Sequence, residues 1–151
     1  MDSTSGMIDV GDKDMTTRIA KAQGTINLGP AAFDAVKDGT CVKGDVFATA
    51  KIAAIQAVKS TPSIIPLCHS ILIEAVNAEF VMDKEDKSVS VTVTVKSSGK
   101  TGVEMEALVG ASVFCLTVYD MLKYTGQGMT MTQIKLLEKK GGKSGDYKRQ
   151  R

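Results

Sequence analysis

The sequence predicts an α+β fold, an antiparallel sheet with its helices on one face. Val89, Val91, Val93 and Val95 alternate with serine and threonine, which indicates a strand with one apolar and one polar face. Residues 103–124 are apolar over most of their helical surface, as expected of a helix that is buried on several sides. The elements follow one another in the order β-α-α-β-β-α-β. This is the ferredoxin-like order with one extra helix.

A strand and a short helix open the predicted fold. Residues 18–28 have the pattern of a strand, and Gly29 with Pro30 ends it. We expect a helix over residues 30–37, because proline is tolerated in a first helical turn and Gly39 follows as a stop.

A second helix is predicted over residues 46–59, which are rich in alanine and isoleucine. Asp45 precedes them and is a favourable N-cap. Pro62 and Pro66 are expected to prevent this helix from continuing.

The second half contains the remaining strands. Residues 71–82 and 88–96 are joined by the polar run 83–86, which indicates a hairpin turn. Beyond the long helix, residues 132–139 are predicted to form the last strand, with Ile134 and Leu136 on one face.

Length and composition indicate one domain. The chain has 151 residues, 43% of them hydrophobic and 24% charged, a balance typical of globular proteins. We assign residues 1–14, which lack the apolar core of a signal peptide, to a flexible leader, and residues 15–151 to the domain. No uncharged stretch reaches the ~20 apolar residues of a membrane span. Residues 141–151 are rich in glycine and basic side chains, which indicates a flexible tail or a glycine-rich loop.

Charge and cysteine content narrow the function classes. Lys and Arg number 19 against 17 Asp and Glu, a net charge of +2 that argues against a general nucleic-acid or membrane-surface protein. The single histidine, His69, excludes a zinc site with several histidines in one chain. Cys41, Cys68 and Cys115 have no CxxC spacing, so their thiols suit a reducing, cytoplasmic compartment.

Two connections carry polar residues in apolar surroundings. His69 lies in segment 64–70, where its ring either bonds a backbone carbonyl or stands at the mouth of a pocket. Segment 99–102 enters a helix as a phosphate-binding turn does, but the P-loop spacing is absent. Glu104 and Glu106 follow in the first turn, where the helix dipole favours carboxylates. Because residues two apart point to different sides of a helix, we do not expect one paired-carboxylate site.

Asp120 and Lys123 share one face near the end of the long helix. A solvated ion pair is one interpretation of this spacing. A long uncharged stretch precedes Asp120, so this helix end can instead be shielded from water, which would lower the pKa of Lys123 and suit it to acid-base work. Further cations would suit a polyphosphate if several converged on one pocket, namely Arg18, Lys43, Lys51, Lys59 and the lysines of 139–143.

These segments resemble those of the molybdenum cofactor biosynthesis protein C family, the cyclic pyranopterin monophosphate synthases. The resemblance runs almost end to end, in the order of the family. It is carried by residues 7–13 (MIDVGDK), 43–46 (KGDV), 64–69 (IIPLCH), 101–108 (TGVEMEAL), 119–123 (YDMLK) and 136–146 (LLEKKGGKSGD).

The resemblance implies a hexamer, a trimer of dimers with active sites between subunits. It implies a lyase that converts 3′,8-cyclo-7,8-dihydro-GTP, made from GTP by a radical enzyme, into cyclic pyranopterin monophosphate and pyrophosphate. Asp120 would then be the catalytic acid or base with Lys123 as its partner, and we expect Lys43 to assist them. The implied substrate-binding residues are Leu67, Cys68, His69, Met105, Glu106, Glu104, Arg18, Lys59 and Lys139.

One position departs from the family pattern, since Ser70 stands where the family usually has proline. This exchange is expected to loosen the loop slightly without removing the imidazole of His69. The match of the GGKSGD segment favours an ordered loop over the site. No dedicated set of metal ligands is visible, so we expect no cofactor, and Mg²⁺ bound with the triphosphate stays open.

Two other function classes compete with an enzyme. Ferredoxin-like sheets also serve as RNA-binding or regulatory modules, but RNA recognition on such sheets uses exposed aromatic residues. Here four Phe and three Tyr are scattered along the chain. A purely structural oligomer would explain the apolar helix but not the charged residues at the ends of the elements.

Overall fold

The structure, a computed structural model, describes residues 6–150. The regular elements are β1 (Thr16–Asn27), α1 (Gly29–Lys37), α2 (Val46–Ile64), β2 (Ile73–Asp83), β3 (Ser88–Gly99), α3 (Glu104–Leu122), β4 (Thr130–Lys140) and β5 (Tyr147–Lys148). A one-turn 3-10 helix, Lys123–Thr125, directly follows α3.

The strands form one antiparallel sheet in the order β2-β3-β1-β4-β5. The first four give the ferredoxin-like arrangement, so the predicted α+β fold and element order are confirmed. The two-residue strand β5 was not predicted. It pairs with β4 through Glu138 opposite Lys148 and Lys139 opposite Tyr147.

The core lies between the sheet and the α2–α3 layer. The four alternating valines of β3 are fully buried, as are Ala20 and Ala22 of β1. These small β1 residues let α3 approach the sheet closely. At Gly24 of β1 the approach is close, because an added Cβ would lie 3.1 Å from both the Ala111 carbonyl oxygen and Cys115 Sγ. Burial raises the pKa of Cys115 to about 12, which makes this thiol a packing group.

Helix α2 begins as predicted and ends later. Asp45 caps it by accepting a hydrogen bond from the Ala48 N–H at 3.0 Å. The prediction that the helix stops before Pro62 was wrong, because α2 continues to Ile64. Pro62 lies in the last turn, where proline removes one hydrogen bond from a helix that ends two residues later.

Helices α2 and α3 run side by side in opposite directions. The loop before α2 contacts the end of α3, and the loop after α2 contacts its beginning. Glu104–Thr125 has the length and hydropathy of a membrane span, but half of it is buried in this domain as its core helix. The opposite orientation places two groups of polar residues at the two ends of α3.

The segment before β1 packs against the domain. Residues 1–5 of the predicted leader lie outside the described residues. In the described part, the carbonyl oxygen of Ile8 bonds His69 Nε2 at 2.7 Å, and Lys100 Nζ donates to the carbonyl oxygen of Gly11 at 2.9 Å. The segment therefore lies across the connections that precede α3.

Candidate active site

At the carboxyl end of α3, two lysines flank one carboxylate. Lys123 Nζ lies 2.9 Å from Asp120 Oδ1, and Lys43 Nζ lies 3.3 Å from Oδ2. Lys43 also donates to the main-chain oxygen of Asp120 at 2.9 Å. The structure thus brings together the three residues expected to be catalytic.

Lys43 reaches this position from the loop between α1 and α2. Cys41 Sγ donates to the carbonyl oxygen of Met121 at 3.4 Å, and the Val42 N–H donates to Tyr124 Oη at 3.3 Å. Gly44 follows with φ +109°, a conformation that favours glycine. The loop is therefore fastened to α3 on the N-terminal side of Lys43. No signal in the sequence identified Tyr124 as part of this arrangement.

The electrostatics of this group differ from one expectation. The hydrogen bonds and charges of Lys123 and Lys43 lower the pKa of Asp120, and Asp120 raises the pKa of Lys123. The expected lowering of the Lys123 pKa is therefore wrong for this chain by itself. Its physical premise, shielding from water, is absent, since the side chains of Lys123 and Asp120 are 52% and 58% exposed. At neutral pH the lysine is therefore protonated and the aspartate ionised.

The two glutamates at the start of α3 face different partners, as expected from their spacing. Glu104 forms an ion pair with Lys139 of β4 at 3.0 Å. Glu106 is 1% exposed, and its Oε2 accepts a hydrogen bond from Cys68 Sγ at 3.8 Å. Its other oxygen, Oε1, has no hydrogen-bond partner among residues 6–150.

Burial shifts the pKa of this carboxyl-thiol pair upwards. For Glu106 the largest cause is loss of hydration, which disfavours the carboxylate. For Cys68 loss of hydration is again the largest cause, and the negative charge of Glu106 adds to it. The thiol is therefore protonated at neutral pH and acts here as a hydrogen-bond donor to Glu106. It lacks the lowered pKa that is typical of reactive cysteines.

A pocket of about 420 Å³ opens beside this end of α3. His69 lines it while bonding the backbone oxygen of Ile8, so both interpretations of this histidine hold in part. The body of the domain contributes Leu67, Cys68, His69, Glu104 and Met105, and the segment before β1 contributes Gly6, Ile8, Val10 and Lys13.

Arg18 lies in a smaller pocket of about 90 Å³ next to it. Arg18 is 8% exposed, and its Nε has no hydrogen-bond partner among residues 6–150. The glycine-rich loop after β4 covers its guanidinium so closely that a Cβ at Gly142 would collide with it. Lys13 and Lys143 line the same pocket, and Lys13 also lines the larger one. Lys13 was missed by the residue-level reasoning, although it ends the stretch 7–13 that carries the family resemblance.

Not all of the expected site residues meet. Lys59 is exposed on α2, and the described part of the chain gives its side chain no hydrogen bond or ion pair. The groups around Glu104 and Asp120 are separated by most of α3, about 24 Å at the usual helical rise. Within residues 6–150, no three His, Cys, Asp or Glu side chains are grouped so as to hold a metal ion.

The chain is similar to known proteins over nearly its whole length. A model of the MoaC family matches residues 7–142. The chain is 51% identical to a cyclic pyranopterin monophosphate synthase from Sulfurovum sp. (strain NBC37-1) over 143 aligned residues. The alignment covers 95% of this chain and 91% of that relative.

Proposed function

The chain belongs to the MoaC family, and we propose that it is a cyclic pyranopterin monophosphate synthase of molybdenum cofactor biosynthesis. It converts 3′,8-cyclo-7,8-dihydro-GTP into cyclic pyranopterin monophosphate and releases pyrophosphate. The observation that carries this conclusion is the 51% identity to a synthase of that name over 95% of the chain. Both groups of polar side chains at the ends of α3 lie within the matched region, residues 7–142.

We assign proton transfer to the group at the carboxyl end of α3. Opening and rebuilding the purine-derived ring system requires groups that donate and accept protons near neutral pH. Lys123 is in hydrogen-bond contact with Asp120. In the single chain this pairing moves both pKa values away from neutrality, so the proposed proton transfer depends on shielding of the pair by a second subunit. Lys43 contacts the other carboxylate oxygen and assists by holding Asp120 and adding positive charge.

We assign substrate binding to the group at the other end of α3. Closing the cyclic phosphate while pyrophosphate leaves requires cations that stabilise charge on the leaving group. Arg18 suits this role, because it is buried and no carboxylate among the described residues neutralises it. His69 and Lys139 lie at the same end of α3 and are proposed to hold the triphosphate with Arg18. Lys59, which is exposed on α2 and lines neither pocket, is proposed to join them in the assembled site. Leu67, Cys68, Met105 and Glu106 are proposed to contact the substrate beside them.

We propose that each active site combines residues of two subunits in a hexamer built as a trimer of dimers. A separation of about 24 Å between Glu104 and Asp120 is too large for both groups of one chain to close around one reacting centre. The amino end of α3 in one subunit would therefore face the carboxyl end of α3 in another. Such an arrangement would also shield Lys123 from water, which lowers a lysine pKa.

We place the protein in the cytoplasm, after the radical enzyme that acts on GTP. The nucleotide-derived substrate and the free thiols suit that compartment. We propose no cofactor, no nucleic-acid partner and no membrane attachment, with Mg²⁺ entering only as a companion of the triphosphate.

Product analysis tests the assignment. The protein is mixed with the radical enzyme, GTP and that enzyme's cofactors, and the products are separated by chromatography with mass detection. We expect cyclic pyranopterin monophosphate and pyrophosphate in equal amounts, and neither when this protein is omitted. Accumulation of 3′,8-cyclo-7,8-dihydro-GTP in the presence of the folded protein would contradict the proposal.

A further inference from the structure

The segment before β1 forms one wall of the 420 Å³ pocket. We call residues 8–13 the strap. Most of it is exposed, and Ile8 is 75% exposed. Its internal hydrogen bonds form a tight turn, with the Gly11 N–H on Asp9 Oδ1 at 2.8 Å and the Lys13 N–H on the Val10 carbonyl oxygen at 3.1 Å. These bonds shape the strap but do not attach it to the domain.

Two side chains bond the strap to the domain. His69 bonds the carbonyl oxygen of Ile8, and Lys100 donates to the carbonyl oxygen of Gly11. Lys100 is half-buried in the short connection between β3 and α3, next to Thr101 and Gly102 of the pocket wall. Its ammonium group therefore makes a charge-assisted bond from the half-buried β3–α3 connection to the exposed strap.

These two bonds differ in what happens when substrate binds. His69 is proposed to contact the triphosphate, and Nε2 cannot bond phosphate and the Ile8 carbonyl oxygen equally well at once. Lys100 lines neither of the two pockets and can keep its bond to Gly11. Lys13, two residues further on, lines both pockets and stands where they adjoin.

From this geometry we infer that Lys100 is a positioning residue that holds the strap across the substrate pocket through the Gly11 carbonyl oxygen, so that Lys13 faces an anionic, nucleoside triphosphate-like ligand. The inference rests on the proposed function for the identity of that ligand. Lys100 itself does not touch the substrate. Its contribution is to reduce the freedom that the strap would otherwise lose on binding.

Three variants separate positioning from charge. Lys100→Met removes the donor, Lys100→Arg retains one, and Lys84→Met removes an equal charge from the exposed β2–β3 turn. Hydrogen-deuterium exchange of peptides covering residues 6–14 is measured without substrate, and exchange in the sheet strands reports that each variant is folded. KM and kcat are then measured with 3′,8-cyclo-7,8-dihydro-GTP.

We expect Lys100→Met to speed exchange in the strap and to raise KM about tenfold, the effect of losing one charge-assisted hydrogen bond, with kcat within about twofold. Lys100→Arg should restore both values, and Lys84→Met should change neither. Unchanged exchange or unchanged KM in Lys100→Met overturns the inference, as does an equal KM rise in Lys84→Met. If the unsubstituted protein forms no product, the proposed function fails, while the exchange comparison still decides whether Lys100 holds the strap.

Discussion

Lys43 and Asp120 are 77 positions apart in the sequence, yet Lys43 Nζ lies 3.3 Å from Asp120 Oδ2 and 2.9 Å from its main-chain oxygen. Lys123 Nζ lies 2.9 Å from the other carboxylate oxygen, Asp120 Oδ1. One carboxylate is thereby held between two lysine side chains, and the pairing lowers the pKa of Asp120 and raises the pKa of Lys123. Because all three side chains are exposed, replacing any one of them removes a charged group from this arrangement without disturbing the packing of the core.

The first prediction concerns this charged group. Asp120→Asn and Lys123→Met should each lower kcat about 100-fold or more, since general acid-base groups contribute on that scale, while substrate binding measured by calorimetry stays within a few fold. Lys37→Met is the matched control, because Lys37 pairs with Asp34 on α1, apart from this group. Near-normal product formation by either Asp120→Asn or Lys123→Met would contradict the catalytic assignment.

The second prediction concerns the close contact between β1 and α3. Gly24→Ala should destabilise the fold by about 1–3 kcal/mol, because its Cβ would lie 2.9 Å from Ile134 Cδ1 and 3.1 Å from the Ala111 carbonyl oxygen. Gly128→Ala is the control, since nothing lies within 4 Å of the added atom. Urea unfolding at fixed protein concentration measures both. Equal stability of the two variants would show that α3 does not rest on Gly24.

Local signals in the sequence account for what could be predicted of the fold. The valine alternation in β3 fixes which face is buried, and Asp45 marks the start of α2 because a capping carboxylate acts within three residues. The predicted end of α2 was wrong because Pro62 is tolerated close to the end of a helix, and packing determines where this helix ends. Strand β5 has only two residues and exists through its pairing with β4, so no periodicity could reveal it.

The candidate site could be predicted only in part, for a similar reason. The residue types at the ends of α3 were visible, and the family resemblance supplied their roles. The contact of Tyr124 with the loop before α2, and the bond of Lys100 to Gly11, join positions more than 80 residues apart. The direction of the Lys123 pKa shift was wrong because it depends on exposure, which hydropathy along one helix does not determine.

The third prediction concerns pH and the buried Glu106. Its pKa is raised by loss of hydration, so the folded chain binds a proton more readily than the unfolded chain. Stability should therefore fall as pH rises from about 4 through the raised pKa. Glu106→Gln cannot ionise and should flatten that fall. Urea unfolding at several pH values, with Glu104→Gln as the partly exposed control, measures the effect, and an unchanged slope in Glu106→Gln would exclude a raised pKa.

The fourth prediction concerns the two ends of α3. His69→Ala alters the amino-end group and Asp120→Ala the carboxyl-end group, and each variant alone should be nearly inactive. Equal amounts of the two variants are mixed and their subunits are allowed to exchange. If each site takes its two ends from different subunits, activity should return at about a quarter of the sites, because random assembly brings two intact ends together at that frequency. Differently tagged subunits, recovered together in one complex, verify the exchange. Verified exchange without any recovery of product would place each site within one chain.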